Sequence, residues 1–253
     1  ARAFRKVRED DSIKAVVFRI DSPGGSAVAS EVIRQEMVRT AAKVPVVVSM
    51  SNVAASGGYW ITCGAQRIVA DPMTITGSIG VFGGHLNTAE FWEDKLGITY
   101  GRLDYGANSN IYGDLEDWTD PQRATVDRLL DRIYDDFLTR VAESRGMDKA
   151  AVDAIARGRV WTGAQALERG LVDAIGGLDV AVAQARELAG IEPEKTVKLV
   201  DYPKVEPLWK QILKTKSHEE AAVESALATF EEWWRTGVPP TPGTVWMPPI
   251  AVN

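Results

Sequence analysis

The stretch Val53-Ala54-Ala55-Ser56-Gly57-Gly58-Tyr59-Trp60, directly after the apolar run Val46-Val47-Val48-Ser49-Met50, constrains this chain more than any other segment. The apolar, β-branched run favours a strand. The paired glycines after Ser56 admit a turn tight enough to start a helix at once. A serine on such a turn stands at a helix N-terminus beside bare backbone N–H groups. That environment suits a nucleophilic hydroxyl, because the N–H groups and the helix dipole stabilise the negative charge that develops on attack. The same residues also suit a plain Ser N-cap on a buried, glycine-rich helix.

Two further segments repeat the pattern. The run from Ala15 to Ile20 ends in Asp21-Ser22-Pro23-Gly24-Gly25-Ser26, and a helical pattern with Val28, Val32, Ile33 and Met37 follows. Adjacent glycines after a proline present successive N–H groups without side-chain cover. This suits an oxyanion hole as well as an ordinary strand–turn–helix connection. Asp71-Pro72-Met73-Thr74-Ile75 then leads into Thr76-Gly77-Ser78-Ile79-Gly80-Val81-Phe82-Gly83, again a small hydroxyl among glycines. Three such segments in order are far more specific than one.

Strand-like runs at 14–20, 45–50, 67–70, 79–82 and 98–103 alternate with helical patterns at 27–42, 56–64 and 87–96, which predicts a layered α/β fold. The longest helix is predicted from Asp120 to Ser144, where Val126, Leu130, Ile133, Phe137 and Val141 share one face and Gly146 is the stop. Shorter helices are predicted at 148–157, with Asp148 as N-cap, and at 162–169, from Thr162 to the stop at Gly170. Past residue 195 the texture changes. A final strand at 198–200, helices at 208–213 and 221–234, and an extended proline-rich end from Gly237 are expected there. The chain is therefore divided into residues 1–195 and a C-terminal region, 196–253. Trp233, Trp234 and Trp246 in that region are expected to pack on the chain's own core or on a neighbouring subunit.

With 29 basic against 35 acidic residues, the net charge is −6. No basic stripe is available to release counterions, which argues against a nucleic-acid partner. The single Cys63 offers neither an internal disulfide nor a metal cluster and reads as a small buried hydrophobe. No metal or cofactor is expected. No apolar run reaches the about 18 residues of a membrane span, and no signal peptide is visible.

Taken together, Asp21 to Ser26, Ala54 to Trp60, Thr76 to Phe82, and the later Arg157-Gly158-Arg159-Val160-Trp161-Thr162-Gly163 with Gly170-Leu171-Val172-Asp173 resemble the signal peptide peptidase A family of bacterial membrane serine proteases, also called protease IV. The resemblance covers residues 13–190. It implies a crotonase/ClpP-like superhelix of β-β-α units, with the C-terminal region as a helical addition. It also implies that Ser56 is the nucleophile and that a lysine is the general base. Backbone N–H groups of Gly24, Gly25 and Gly57 would form the oxyanion hole, and Ser78 would orient the lysine ammonium. The implied substrates are signal peptides and other apolar peptides at the bacterial membrane, on its periplasmic or extracytoplasmic side. A homo-oligomer is expected.

One position departs from the family pattern. In single-repeat members the lysine follows a Leu-Gly-Ile strand. Here Leu96-Gly97-Ile98-Thr99-Tyr100 leads to Tyr105-Gly106-Ala107-Asn108-Ser109-Asn110, and Ser109 stands where the lysine is expected. In two-repeat members the lysine comes from the N-terminal repeat and the serine from the C-terminal one. The chain resembles that C-terminal repeat and shows neither an initiating Met nor an N-terminal anchor. The base is therefore expected from an upstream repeat or another subunit, and the anchor from a part of the polypeptide outside this chain. His85, after Gly83-Gly84, and His218, in a charged segment, read as solvated residues. Lys95 reads as a surface-helix residue and Lys43 as a favourable charge at a helix end. No Ser-His-Asp triad is apparent.

Val28, Val53, Tyr59 and Trp60 lie near the turns and are apolar. A hydrophobic S1 pocket is therefore expected there, rejecting charged side chains because an unpaired buried charge is costly. Two other classes compete with the peptidase reading. One is a non-catalytic scaffold or partner subunit that has lost its base, which Ser109 supports. The other is a crotonase-type acyl-CoA enzyme, which needs no nucleophilic serine and for which no acidic residue sits in a comparable turn.

Overall fold

The computed structural model describes residues 1–192 and 194–203. The chain divides after Val197 into two compact units, and of the second only residues 198–203 are described. The first runs α1 (Arg2–Glu9), β1 (Val16–Ser22), α2 (Ala27–Ala41), β2 (Val46–Ala55), α3 (Gly57–Trp60), β3 (Arg67–Ala70) and β4 (Ile75–Gly77). After an excursion it continues through α4 (Asp120–Arg145), α5 (Lys149–Ile155), β5 (Val160–Thr162), α6 (Gly163–Glu168), β6 (Ala174–Ile175) and α7 (Leu178–Leu188). The architecture is mixed α/β. Its six strands form one sheet in the order β5-β4-β2-β3-β6, with β1 added on β2, and only the β4–β5 pair is antiparallel.

The sequence of β2 explains its central place. Val46, Val47 and Val48 are buried in succession, as a parallel strand covered on both faces requires. Val48 and Met50 join Trp60, Phe137 and Val141 in the main core, while Val47 meets Ala181 and Ala185 of α7. β2 also serves two neighbours in turn. Val47–Ser49 pair with β3, and Val53–Ala55 pair with β4. On its other side, pairing with β1 is regular to Ile20↔Met50 and then jumps to Ser22↔Ala54. Residues 51–53 thus oppose Asp21 alone, a bulge that redirects the strand. The carboxylate of Asp21 accepts the Val53 N–H at 3.2 Å, and Ser51 O accepts the Thr74 hydroxyl at 2.7 Å. The consequence is that the C-terminal ends of β1, β2 and β4 lie side by side.

The long helix forms as its periodicity predicts. Thr119 N–H donates to Gln122 at 2.9 Å at its start, Gly146 stops it in the left-handed region at φ 63°, and Phe137, Leu138 and Val141 are buried. Arg145 in its last turn grips Asp173 with two hydrogen bonds of 2.8 and 3.0 Å. Burial alone would raise the Asp173 pKa, but the Arg145 pair outweighs it and the pKa falls.

Several expectations need correction. No strand forms at 79–82; the strand of that segment is β4, which ends because Gly77 (φ 75°) and Ser78 (φ 48°) both turn the backbone left-handed. Residues 98–103 and 198–200 are not strands either. The first of these runs is exposed and pairs with no strand among the described residues; its Ile98 N–H turns back to Trp92 O at 2.9 Å. The helix expected at 87–96 contains a π-helical turn, Phe91–Lys95. Two helices appear that periodicity did not reveal. α1 is short and buries only Phe4 and Val7, and α7 packs through Ala181 and Ala185, whose small size hides the stripe. The helices expected at 208–213 and 221–234, the proline-rich end, Trp233, Trp234, Trp246 and His218 lie outside the described residues.

Candidate active site

Ser56 sits where β2 turns into α3, with φ 52° and ψ −122°. A non-glycine residue rarely adopts this conformation and holds it only when its surroundings over-determine it. Here they do. Ser56 N–H donates to Gly77 O at 2.9 Å, and Ser56 O accepts from the N–H groups of Tyr59 and Trp60 at 2.8 and 2.9 Å. Those two residues are themselves anchored. The Tyr59 hydroxyl donates to Leu171 O at 2.7 Å, and the Trp60 indole N–H donates to Glu31 at 2.7 Å.

The glycines around Ser56 are places where backbone meets backbone. A Cβ on Gly24 would lie 2.8 Å from Ser56 Cβ and 2.7 Å from Gly57 N. One on Gly57 would lie 2.6 Å from Ser30 Oγ and 3.2 Å from Gly25 N, and one on Gly58 would lie 2.4 Å from Ser22 O. The Gly24-Gly25 turn after β1 is thus pressed against the Ser56-Gly57-Gly58 turn after β2. Its N–H groups differ in use. Gly24 N–H donates to Ser22 Oγ at 3.2 Å and is occupied. Among the described residues the N–H groups of Gly25 and Gly57 have no hydrogen-bond partner, and neither does the Ser56 hydroxyl.

Ser78 flanks the other side, directly after the Gly77 carbonyl that holds Ser56. Its N–H donates to Arg159 O at 2.7 Å, and Ile79 O accepts from Gly158 N–H at 2.9 Å. Behind the two turns, Glu31 of α2 ties the helices together. It accepts two hydrogen bonds from Arg34 at 2.8 Å as well as the Trp60 indole N–H. Arg34, Trp60 and Gln35 together overcome the opposing effect of burial and hold its carboxyl at about 2.

The structure therefore brings Ser56, Gly24, Gly25, Gly57 and Ser78 together. It does not bring Tyr59 and Trp60 to them as pocket lining. Tyr59 is fully buried, and Trp60 packs against Phe137 at 4.6 Å, so both are core residues that fix the turn from behind. Val28 is exposed on the first turn of α2, and Val53 is half-buried on β2. The local alternatives for a base are engaged elsewhere or exposed. His85 bonds to Glu116 O and stacks on Trp118 at 4.8 Å. Lys43 donates to Arg8 O at 2.6 Å and Asp11 at 2.8 Å, and Lys95 is exposed on the π-helical turn. Ser109 is exposed and donates to Gly106 O at 3.0 Å.

Cys63 is buried, and burial pushes its thiol up to about 12, so it stays protonated and is no rival nucleophile. Among the described residues no group of three or more His, Cys, Asp or Glu is placed to hold a metal ion, and no helix is long and apolar enough to cross a membrane. Sequence reasoning missed Asp21, Ser22, Ser30 and Glu31. Asp21 and Ser22 read there as turn punctuation, and the Glu31–Trp60 bond joins elements with no shared pattern.

Comparison with known proteins bears on this geometry. The sequence model of peptidase family S49 matches residues 39–192, more than half of the chain. Serine protease SPPA, chloroplastic, from Arabidopsis thaliana is 41% identical over 199 residues, which cover 78% of this chain and 29% of that protein. Protease 4 of Salmonella typhi is 43% identical over 194 residues, 76% of this chain and 31% of that protein. Protease 4 of Haemophilus influenzae is 41% identical over 201 residues, 78% of this chain and 32% of that protein. The chain thus spans about a third of the length of these relatives.

Proposed function

The chain belongs to peptidase family S49, and on that premise we propose that it is the nucleophile-bearing unit of a Ser-Lys serine endopeptidase. Ser56 Oγ attacks the carbonyl carbon of a peptide bond while a lysine amine, made available by desolvation, takes the hydroxyl proton. The carbonyl electrons move onto oxygen, and the N–H groups of Gly25 and Gly57 donate hydrogen bonds to the resulting oxyanion. Collapse expels the amine, which takes the proton from the lysine ammonium. Water then attacks the acyl-enzyme by the same route, releasing the acid and restoring Ser56. Ser78 orients the ammonium. Gly24 contributes by its close approach to Ser56 and not as a donor, because its N–H is spent on Ser22.

The lysine comes from an upstream repeat or another subunit of a homo-oligomer. Substrates are signal peptides and other apolar peptides at the bacterial membrane, on its extracytoplasmic face, and the sheet and helices belong to a crotonase-like superhelix. One observation carries the reading: a serine hydroxyl with no partner among the described residues, held at a strained φ beside two N–H groups that likewise have none there. A second reading, a scaffold that has lost its base, is favoured by the exposed Ser109 at the family's lysine position.

Hydrolysis of a fluorogenic apolar peptide ester separates the two. The chain alone and the polypeptide extended by the upstream repeat are assayed side by side. Activity confined to the extended form, and lost in Ser56→Ala, supports the enzyme. Inactivity of both forms leaves the scaffold.

A further inference from the structure

A concavity of about 340 Å³ lies beside the bulge of β2, on the sheet face that carries α7. Arg19, Met50, Val53, Met73, Ile75 and Gly177 line it. Its apolar wall is unusually open to solvent: Met73 is 76% and Ile75 47% exposed. Arg19 spans one side, and its guanidinium is held flat by neutral acceptors alone. It donates to Ser49 Oγ at 2.7 Å, Met50 O at 3.3 Å and Ser51 Oγ at 3.0 Å. Among the described residues no carboxylate stands within ion-pair distance of it.

A guanidinium carries five N–H donors, so the exposed Arg19 side chain, positioned by three hydrogen bonds, leaves about two donors free beside the apolar wall. Gly177 is the N-cap of the 11-residue α7 and has no side chain to cap it. The positive end of that helix therefore adds to the same rim. Two carboxylates oppose this charge: Asp71, whose Oδ1 accepts the Met73 N–H at 3.0 Å, and Asp179 in the first turn of α7, whose Oδ1 lies 2.9 Å from the Cβ position of Gly177.

A ligand that matches this site joins an anionic fork to a single apolar side chain. We infer that the cavity binds the free C-terminal carboxylate of an apolar peptide, with the carboxylate on Arg19 and the last side chain among Met50, Val53, Met73 and Ile75. The source of such a peptide rests on the peptidase reading. Val53 precedes Ser56 by three strand positions, about 10 Å, a distance that a few extended residues bridge. Peptides that have already been cut end in such a carboxylate, so the site gives fragments an advantage over intact chains.

Binding is measured by calorimetry on the Ser56→Ala protein, so that no turnover is needed and failure here is separate from failure of the peptidase reading. A short apolar peptide with a free C-terminus is compared with its C-terminal amide and with a fatty acid. The acid is expected to bind about tenfold more tightly than the amide, the worth of one charge-assisted hydrogen-bonded pair. That preference disappears in Arg19→Gln and grows in Asp71→Asn, while Met73→Asp weakens both peptides. Equal affinity of acid and amide overturns the inference, as does a preference that survives Arg19→Gln or tighter binding of the fatty acid. Should Arg19→Gln fail to fold, the acid–amide comparison with and without Asp71→Asn decides the matter.

Discussion

The strand-end cluster around Ser56 and the excursion between Val81 and Thr119 adjoin in the chain but are built on opposite terms. In the cluster, Ala54, Ala55, Gly57, Gly58, Thr76, Gly77 and Ile79 are buried, and an added methyl on Gly24, Gly57 or Gly58 would strike backbone or the side chains beside Ser56. In the excursion, Phe82, Leu103 and Tyr105 are almost fully exposed, and Leu86 and Tyr112 nearly so. Its hydrogen bonds run within itself, such as Trp118 to Ile111 O and Thr88 to Asp114 O, or to the first turn of α4, as Gln122 to Asn110. The difference teaches that the turns carrying Ser56 and the N–H groups of Gly25 and Gly57 are held by packing among the described residues, whereas the excursion is not. The apolar surface that begins four residues after Ser78 is not covered by the described residues. Exposed apolar area on that scale is what interaction sites commonly present.

The comparison breaks first if the cluster tolerates bulk. Gly58→Val places a side chain where Ser22 O already stands 2.4 Å from the Cβ position, and it should cost roughly 2–4 kcal/mol of unfolding free energy in urea titration. Unchanged stability would show that the two turns are not held against each other.

A middle-sized effect concerns the link behind them. The Glu31 carboxyl is depressed from 4.5 to about 2, chiefly by Arg34. A depressed acid contributes stability that is fully present above its unfolded pKa and is lost as pH falls towards its folded one. Stability should therefore decline between about pH 4.5 and 2, and Glu31→Gln should flatten that part of the profile. A variant with an unaltered acid limb would remove Glu31 from the account.

The smallest effect on stability belongs to the excursion. Leu103→Ser should change unfolding free energy by no more than about 0.5 kcal/mol, as surface changes do, while weakening in sedimentation the self-association that the proposed homo-oligomer would show. Unfolding of this variant would make the excursion a core element and erase the contrast.

Much of the cluster was legible in the order of residues, because it depends on backbone chemistry that only small residues permit. Gly24-Gly25, Ser56-Gly57-Gly58 and Gly77-Ser78 announce turns, and β-branched runs announce the strands that precede them. The pairing of those turns was not legible. It follows from the bulge at residues 51–53, whose signal is a register jump between two strands. Tyr59 and Trp60 misled for a related reason. Proximity to Ser56 in sequence suggested pocket lining, yet a helix that starts at Gly57 turns its next side chains into the core, where Leu171 O and Glu31 satisfy their polar ends. Glu31 and Ser30 looked like ordinary helix residues because their partners lie on other elements.

The central claim is that Ser56 is the nucleophile of the proposed enzyme. Its most direct test treats the polypeptide extended by the upstream repeat with a serine-reactive phosphonate and maps the adduct by mass spectrometry. The account predicts a single stoichiometric adduct on the peptide containing Ser56, absent from Ser56→Ala. An adduct on Ser78, Ser109 or any other serine, or labelling that persists in Ser56→Ala, would contradict it.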